Sequence, residues 1–138
     1  MLRYEKIERD IRRALIGSAA LEYCIGILNY IITSDEQLSR HLTYRHIGTI
    51  LSVDPADDSL HAAVTLLSSR FRALHFRMEF FDESGEVYDL TESELRGFLA
   101  TGELAHPHTG QPIESPGNLL VPYFAAFKAD LLAEDRRD

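Results

Sequence analysis

The sequence is poor in cysteine and contains no tryptophan. Among its 138 residues Cys24 is the only cysteine, so no disulfide can form within the chain. This favours a reducing compartment, and we expect the protein to be cytoplasmic. The length suits a single domain, and 45% of the residues are hydrophobic. Such a chain can bury a core without disulfides or a structural metal, which excludes a globally disordered protein.

Long hydrophobic runs are also missing. The most apolar segment, residues 16–32, contains Glu22, Asn29 and two glycines. Its apolar part is short for a membrane span, so it predicts a buried helix and no membrane partner. The first ten residues include the acids Glu5, Glu8 and Asp10. A secretory signal peptide would not carry acids ahead of its apolar stretch, so we expect none here.

Basic residues are outnumbered, with 14 Lys and Arg against 22 Asp and Glu, which gives a formal net charge of −8. The excess lies entirely in residues 81–138, which hold twelve acids and four bases, whereas residues 1–80 hold ten of each. This balance excludes a broad basic surface for nucleic acid. A local arginine face in the first 80 residues remains compatible with it.

Sequence motifs for catalysis are absent. The chain has no glycine-rich phosphate loop, no Gly-x-Ser-x-Gly turn and no Cys/His pair in a known context. His41 and His46 are five residues apart, whereas a spacing of four would align two ligands on a helix. We therefore expect no enzymatic activity, no metal and no cofactor.

Residues 1–33 predict one long helix or two consecutive helices. Apolar positions recur at alternating spacings of four and three residues, which is a heptad seam. The seam comprises Ile7, Ile11, Ala14, Ser18, Leu21, Ile25, Leu28 and Ile32. Two interpretations are open: a core helix of the monomer, or a dimerisation helix. For the second, the proposed contact residues are Ile11, Leu21, Ile25, Leu28 and Ile32.

Two further helices are predicted before residue 70. Ser34 is a suitable N-cap for a second helix, although Thr43 could instead cap a separate short helix over 44–51. Turn-forming residues around Pro55 end this region. A third helix is expected to begin near Asp57 or Ser59 and to end near residue 70.

The hydrophobic period then changes to two. Residues 74–81 alternate as a half-buried strand does, residues 82–85 form a tight turn, and residues 87–90 return as a second strand. A capping box from Thr91 to Glu94 predicts a fourth helix over 92–100, which ends at Gly102. We expect an ordered loop or short hairpin over 103–118 and a C-terminal helix from Pro122.

The element order across residues 34–91 is helix, helix, turn, helix, strand, turn, strand. The residues with matching apolar spacing are Leu42, Thr43, Ile47 and Leu51, then Leu60, Ala63 and Leu66, and the strand end from Tyr88 to Thr91. This pattern resembles the winged helix-turn-helix superfamily. The resemblance implies a DNA-binding precedent, in which the second helix of the pair enters the major groove and the hairpin contacts the phosphate backbone.

The sequence departs from that pattern where a winged helix would contact DNA. Acids occupy the start of the second helix and the tip of the hairpin: Asp54, Asp57, Asp58, Asp82, Glu83 and Glu86. Carboxylates at these places repel phosphates. We therefore expect a non-enzymatic protein-interaction module, a homodimeric accessory or regulatory subunit. The alternative is a DNA-binding transcriptional regulator.

The predicted architecture is one mostly helical α+β domain. Its parts are an N-terminal helix (1–33), a winged-helix-like centre with one β-hairpin (34–91), and a helix, a Pro/Gly loop and a C-terminal helix (92–138). Five arginines are candidates for a face that binds nucleic acid or an acidic partner: Arg40, Arg45, Arg70, Arg72 and Arg77. They could also pair with the acidic C-terminal part of another subunit. The loop 102–113 is either a rigid connector or a recognition loop that exposes His106 and His108.

Overall fold

The structure, a computed structural model, describes residues 1–135 and has an α+β fold, as predicted. Its helices are α1 (Arg3–Ala14), α2 (Ala19–Thr33), α3 (Tyr44–Leu51), α4 (Asp58–Ser69), α5 (Glu92–Thr101) and α6 (Lys128–Leu131). Short 3-10 helices span Glu36–Ser39 and Pro116–Leu119. The strands are β1 (His75–Phe81), β2 (Val87–Asp89) and β3 (Leu120–Ala125), and they form one sheet in the order β2-β1-β3.

The chain forms two compact units. Unit 1 comprises residues 1–75 together with the C-terminal segment from Phe124, and unit 2 comprises residues 76–123. This division differs from the predicted segments 1–33, 34–91 and 92–138. The existence of a single domain stays a prediction.

The N-terminal segment is two helices rather than one. Gly17 adopts a left-handed conformation (φ 80°) between them. The Ser18 hydroxyl then accepts a hydrogen bond from the Ala20 N–H at 3.1 Å, which caps α2. The heptad seam is therefore interrupted at Ser18, and of the two predicted alternatives the pair of helices is confirmed.

Helix α2 forms the centre of unit 1. It packs against α1, α3 and α4. Its buried residues lie on several sides of the helix: Ala20, Cys24, Ile25, Ile27, Leu28 and Ile31. This burial explains why the segment is apolar almost all round.

Side-chain caps set the starts of α3 and α4. The Thr43 hydroxyl accepts a hydrogen bond from the His46 N–H at 3.1 Å, so the separate short helix is the correct alternative for this segment. The Asp57 carboxylate accepts from the Leu60 N–H at 3.0 Å, which confirms the predicted start of the third helix.

Unit 2 contains the predicted hairpin. Strands β1 and β2 are antiparallel with Phe80 opposite Tyr88, and Gly85 takes the left-handed turn position (φ 91°). Helix α5 begins with the predicted capping box of Thr91 and Glu94 and ends at Gly102. A small core is formed by Phe80, Leu90, Leu95 and Leu104.

The C-terminal segment differs from the prediction. Residues 120–125 form β3, and the helix is limited to Lys128–Leu131, so the predicted helix start at Pro122 is wrong. Within unit 1, the Leu42 N–H donates to the Phe124 carbonyl at 2.7 Å, and the Phe124 N–H donates to the Leu42 carbonyl at 2.8 Å. These long-range backbone bonds favour the extended conformation, which also suits the aromatic residues of this stretch.

The order of elements over residues 34–91 is as predicted, apart from the 3-10 helix in place of a longer first helix. Helices α3 and α4 belong to unit 1, and the hairpin from Phe76 onward belongs to unit 2. Membership of the winged helix-turn-helix superfamily stays a prediction.

Candidate functional site

The residues predicted for dimerisation lie on α1 and α2. Ile11, Ile25 and Leu28 are buried in unit 1, whereas Leu21 and Ile32 are half-buried. Burial within one chain accounts for the apolar character of the first three without a second copy. Self-association through the seam stays a prediction.

The single cysteine is part of the same core. Cys24 is fully buried, and its thiol lies 3.7 Å from the carbonyl oxygen of Ala63. Burial raises the pKa of the Cys24 thiol to about 11. Because the thiolate is the reactive form, this residue behaves as a small hydrophobic side chain.

Three of the five candidate arginines, Arg40, Arg45 and Arg77, do not line the cavities that Arg70 and Arg72 line. Arg77 lies in unit 2, where its guanidinium donates to the Asp89 carboxylate at 3.0 Å. Arg40 forms an ion pair with Glu36 one helical turn away, at 2.9 Å. Arg45 is exposed on α3.

Arg70 and Arg72 lie along a groove in unit 1, beside α1. The groove consists of two adjoining cavities of about 380 and 290 Å³, which share Asp10, Arg70 and Phe71. Its charged lining residues are Arg3, Lys6, Asp10, Arg13, Arg70, Arg72 and Asp135. We call this feature the α1 groove.

The α1 groove has more positive than negative charge. Arg3 pairs with Asp130 at 2.6 Å, and Lys6 pairs with Asp135 at 3.3 Å. Arg13, Arg70 and Arg72 form no ion pair with any residue from 1 to 135. Asp10 is the remaining lining acid, and its contact with Arg9 is long, at 3.8 Å.

Sequence reasoning missed the part of this groove that α1 contributes. Arg3, Lys6, Asp10 and Arg13 follow one another at spacings of three, four and three residues. That spacing places four charged side chains along one face of a helix, so the signal was present in the sequence. It could not reveal that the end of α4 lies opposite.

Arg72 has an unusual backbone conformation. Its φ of 54° lies in the left-handed region, which glycine usually occupies after a helix. The Arg72 carbonyl accepts a hydrogen bond from the Arg3 guanidinium at 2.9 Å. The side chain itself is exposed at the groove.

Unit 2 carries almost all of the net charge. Residues 76–123 contain nine acids and two arginines, so they account for −7 of the total −8. One of those arginines, Arg77, is already paired with Asp89. The surface of unit 2 is therefore strongly acidic.

A groove of about 850 Å³ runs along α5 in unit 2. Helix α5 contributes Gly97, Phe98 and Thr101, and the following loop contributes Leu104, Pro112 and Ile113. A Cβ atom at Gly97 would meet nothing within 4 Å, so the helix backbone is open on this side. Glu94 and Glu103 also line this feature, which we call the α5 groove.

The two loop histidines have different surroundings. His108 is exposed, but the His106 side chain is only 16% exposed and its ring packs edge-on against Phe80 and Tyr88. The expectation that His106 projects from a recognition loop is therefore wrong. The His106 ring is buried because it packs against the hairpin residues Phe80 and Tyr88 beneath the loop.

Both ring nitrogens of His106 are engaged. Its Nδ1 accepts hydrogen bonds from the His108 and Thr109 N–H groups at 3.0 and 3.2 Å, so Nε2 carries the proton and donates to Asp82 at 3.2 Å. Hydrogen bonds, first from the Ser84 hydroxyl, lower the pKa of Asp82 to about 2. The pair anchors the loop to the hairpin and leaves no ring nitrogen for a substrate or metal.

In residues 1–135 no three His, Cys, Asp or Glu side chains lie close enough to hold a metal ion together. None of the helices in that range has the length and apolarity needed to cross a membrane.

Comparisons with protein-family models, with curated proteins and with solved structures gave no match to this chain.

Proposed function

We propose that this chain is a non-enzymatic protein-interaction module, an accessory or regulatory subunit that binds a basic, amphipathic segment of a partner protein through the α5 groove. The observation that carries the proposal is the combination of an open apolar groove with the net charge of −7 on unit 2. The single buried cysteine suits the cytoplasm as the site of action.

The floor of the α5 groove suits an apolar side chain. Phe98, Leu104 and Ile113 line it, and the absence of a side chain at Gly97 lets a partner approach the helix closely. A volume of about 850 Å³ is large enough for several side chains of a bound segment.

The charge of the surroundings defines the rest of the ligand. Glu94 and Glu103 line the groove, and Arg96 is the only base on α5. A segment with Lys or Arg beside its apolar anchor gains from this field, and an acidic segment is repelled.

Selection from a random peptide display library on the immobilised chain tests this proposal. We expect the selected peptides to share a large apolar residue flanked by Lys or Arg. Gly97→Arg should weaken their binding at least tenfold, measured by fluorescence anisotropy, because it fills the groove and adds a like charge. Ser93→Arg is the matched control, since Ser93 is exposed on α5 and does not line the groove. An acidic consensus, no consensus, or equal binding to both variants would contradict the proposal.

Self-association through the N-terminal seam is a second part of the proposal. Leu21 and Ile32 are the two seam residues that are half-buried, and a second copy can reach these more readily than the buried ones. Light scattering should give the mass of a dimer for the wild type and of a monomer for Leu21→Glu. A monomeric wild type would leave the seam as core only.

DNA binding is the alternative function, and the exposed acids disfavour it. Asp54 and Asp58 near the start of α4, and Glu83 and Glu86 in the hairpin turn, are all exposed. Four carboxylates at the places where a winged helix meets phosphates weaken binding. Titration of duplex DNA at low salt should give no saturable binding, and tight salt-dependent binding would reverse the preference.

A further inference from the structure

We propose that the α1 groove of unit 1 is a binding site for a small phosphorylated ligand, separate from the peptide groove of unit 2. The proposal rests on three arginines that converge on two adjoining cavities and have no ion-pair partner in residues 1–135: Arg13, Arg70 and Arg72. A phosphorylated ligand would supply the negative charge that these three arginines do not receive from residues 1–135.

Arginine is suited to this role. Its planar guanidinium presents a fixed fork of N–H donors that matches the oxygens of a phosphate, and it is charged at every physiological pH. In this chain twelve of the 14 basic residues are arginine. Helix α1 supplies Arg13, and the segment after α4 supplies Arg70 and Arg72 on the other side of the groove.

The backbone of Arg72 is held in a conformation that only Ser52 and Ser115 share among the non-glycine residues that the structure describes. A non-glycine residue at φ 54° is strained, and such strain is common where a side chain must be held in place for binding. The Arg3 guanidinium holds the Arg72 carbonyl at 2.9 Å, and Arg3 is itself fixed by Asp130 at 2.6 Å. Glycine would fit the backbone better at position 72, but it would not supply the charge.

The dimensions and surroundings of the groove favour a small ligand over a nucleic acid strand. Cavities of about 380 and 290 Å³ lie at the lower end of the size range of small-molecule sites. The Phe71 ring is covered by the Arg70 guanidinium, 5.3 Å from its centre, so that face is not open to a stacking base. Asp10 interrupts the positive charge, which disfavours a long polyanion and offers an acceptor for a hydroxyl of the ligand.

Calorimetric titration of the full chain with inorganic tripolyphosphate tests the site. We expect saturable binding at low salt that weakens roughly tenfold or more in Arg70→Ala, since a hydrogen bond to a charged group is lost. Arg45→Ala is the matched control, because Arg45 is exposed on α3 outside the groove and should leave binding unchanged. Asp10→Asn should tighten binding, because it removes the opposing charge.

A second variant separates binding from folding. Arg72→Gly relieves the strained backbone, so its urea midpoint should equal or exceed that of the wild type while its affinity for tripolyphosphate falls. Binding that is unchanged in both Arg70→Ala and Arg72→Gly would overturn the proposal. So would the absence of any binding, or an equal loss in Arg45→Ala.

Two competitors test the class of ligand. A polyglutamate peptide or a single-stranded oligonucleotide that displaces tripolyphosphate at equal concentration of charges would overturn the assignment to a small phosphorylated ligand. Weak competition by both would support it. The peptide-display result for the α5 groove does not depend on these measurements, so either proposal can fail alone.

Discussion

Replacement of Gly48 by alanine should destabilise unit 1, although alanine is the better helix former. Gly48 is buried within α3. A Cβ atom there would lie 2.7 Å from the Val53 carbonyl oxygen and 3.2 and 3.3 Å from the backbone N and Cα of Pro55. All three atoms belong to the backbone of the α3–α4 turn, so no side-chain rotation can relieve the contacts.

Two opposing effects, helix propensity and packing, determine how much Gly48→Ala changes the free energy of unfolding. Alanine in place of glycine inside a helix gains about 1 kcal/mol from backbone entropy. Overpacking in a well-packed core costs about 1–3 kcal/mol, and rigid backbone contacts belong at the upper end of that range. The Val53 N–H also donates to the Gly48 carbonyl at 2.8 Å, so a displaced turn weakens this bond as well. We expect a net loss of about 2 kcal/mol in the free energy of unfolding.

Two other helical glycines provide matched controls. At Gly97 in α5 the new Cβ meets nothing within 4 Å, so Gly97→Ala should stabilise unit 2 by about 0.5–1 kcal/mol. At Gly26 in α2 the Cβ would lie 2.7 Å from Leu51 Cδ2, the end of a flexible side chain that can rotate away. Gly26→Ala should therefore have an effect near zero.

Urea unfolding followed by far-ultraviolet circular dichroism gives the three free energies. A Gly48→Ala variant as stable as the wild type would refute the close approach of the α3–α4 turn. If Gly48→Ala and Gly97→Ala both raise the midpoint, then helix propensity alone decides both, and the packing argument is wrong.

Three further predictions concern unit 2. Burial first, and then the hydrogen bond to Asp89, raise the pKa of Tyr123 to about 12. The free energy of unfolding should therefore fall as the pH rises from 10 to 12. Tyr123→Phe should abolish this loss of stability at alkaline pH and should cost about 1 kcal/mol at neutral pH. The pKa of Asp82 is lowered to about 2, so its stabilising contribution should be present at neutral pH and disappear as the pH falls from 3.8 toward 2. The urea midpoint of Asp82→Asn should lack this dependence on acid pH. In Ser84→Ala the loss of stability should occur at higher pH, because the hydrogen bond from the Ser84 hydroxyl is removed. Thr91→Ala removes the cap of α5 and should cost about 1 kcal/mol in the same unfolding assay, and an unchanged midpoint would refute the role of the capping box.

Elements with local signals could be predicted from the sequence. Thr43, Asp57 and Thr91 each place a side-chain oxygen where a helix starts, and the structure shows all three hydrogen bonds. The turn glycine Gly85 and the helix-ending glycine Gly102 could be predicted in the same way, because glycine is favoured where the backbone needs a positive φ. Both residues adopt a positive φ in the structure. Caps and turns depend on neighbouring residues only, so a single sequence contains them.

Strand β3 had no local signal that distinguishes it from a helix. A short apolar run fits either structure, and Pro122 is tolerated at the first turn of a helix as well as in a strand. The extended conformation of this segment depends on residues far away in the chain, since Leu42 pairs with Phe124. Such pairings depend on tertiary structure and are not encoded in a window of sequence.

The charged sites show the same limit. The sequence divides its charge at residue 80, but the fold divides the chain after His75 and again after Tyr123. The acids of the C-terminal segment therefore belong to unit 1, where Asp130 and Asp135 neutralise Arg3 and Lys6.

That neutralisation decides which arginines are left to bind a ligand. With Arg3 and Lys6 already paired, the positive charge that remains in the α1 groove comes from Arg13, Arg70 and Arg72. Only Arg70 and Arg72 were candidates from the sequence, because no local signal shows that Arg13 on α1 lies beside the end of α4. Removal of the Asp130 charge by Asp130→Asn adds the unpaired Arg3 charge to the groove, while the hydrogen bond from Arg3 to the Arg72 carbonyl can remain, so we expect tighter binding of tripolyphosphate, as for Asp10→Asn. Weaker binding in Asp130→Asn would instead mean that Arg3 serves the site by holding the Arg72 carbonyl in place.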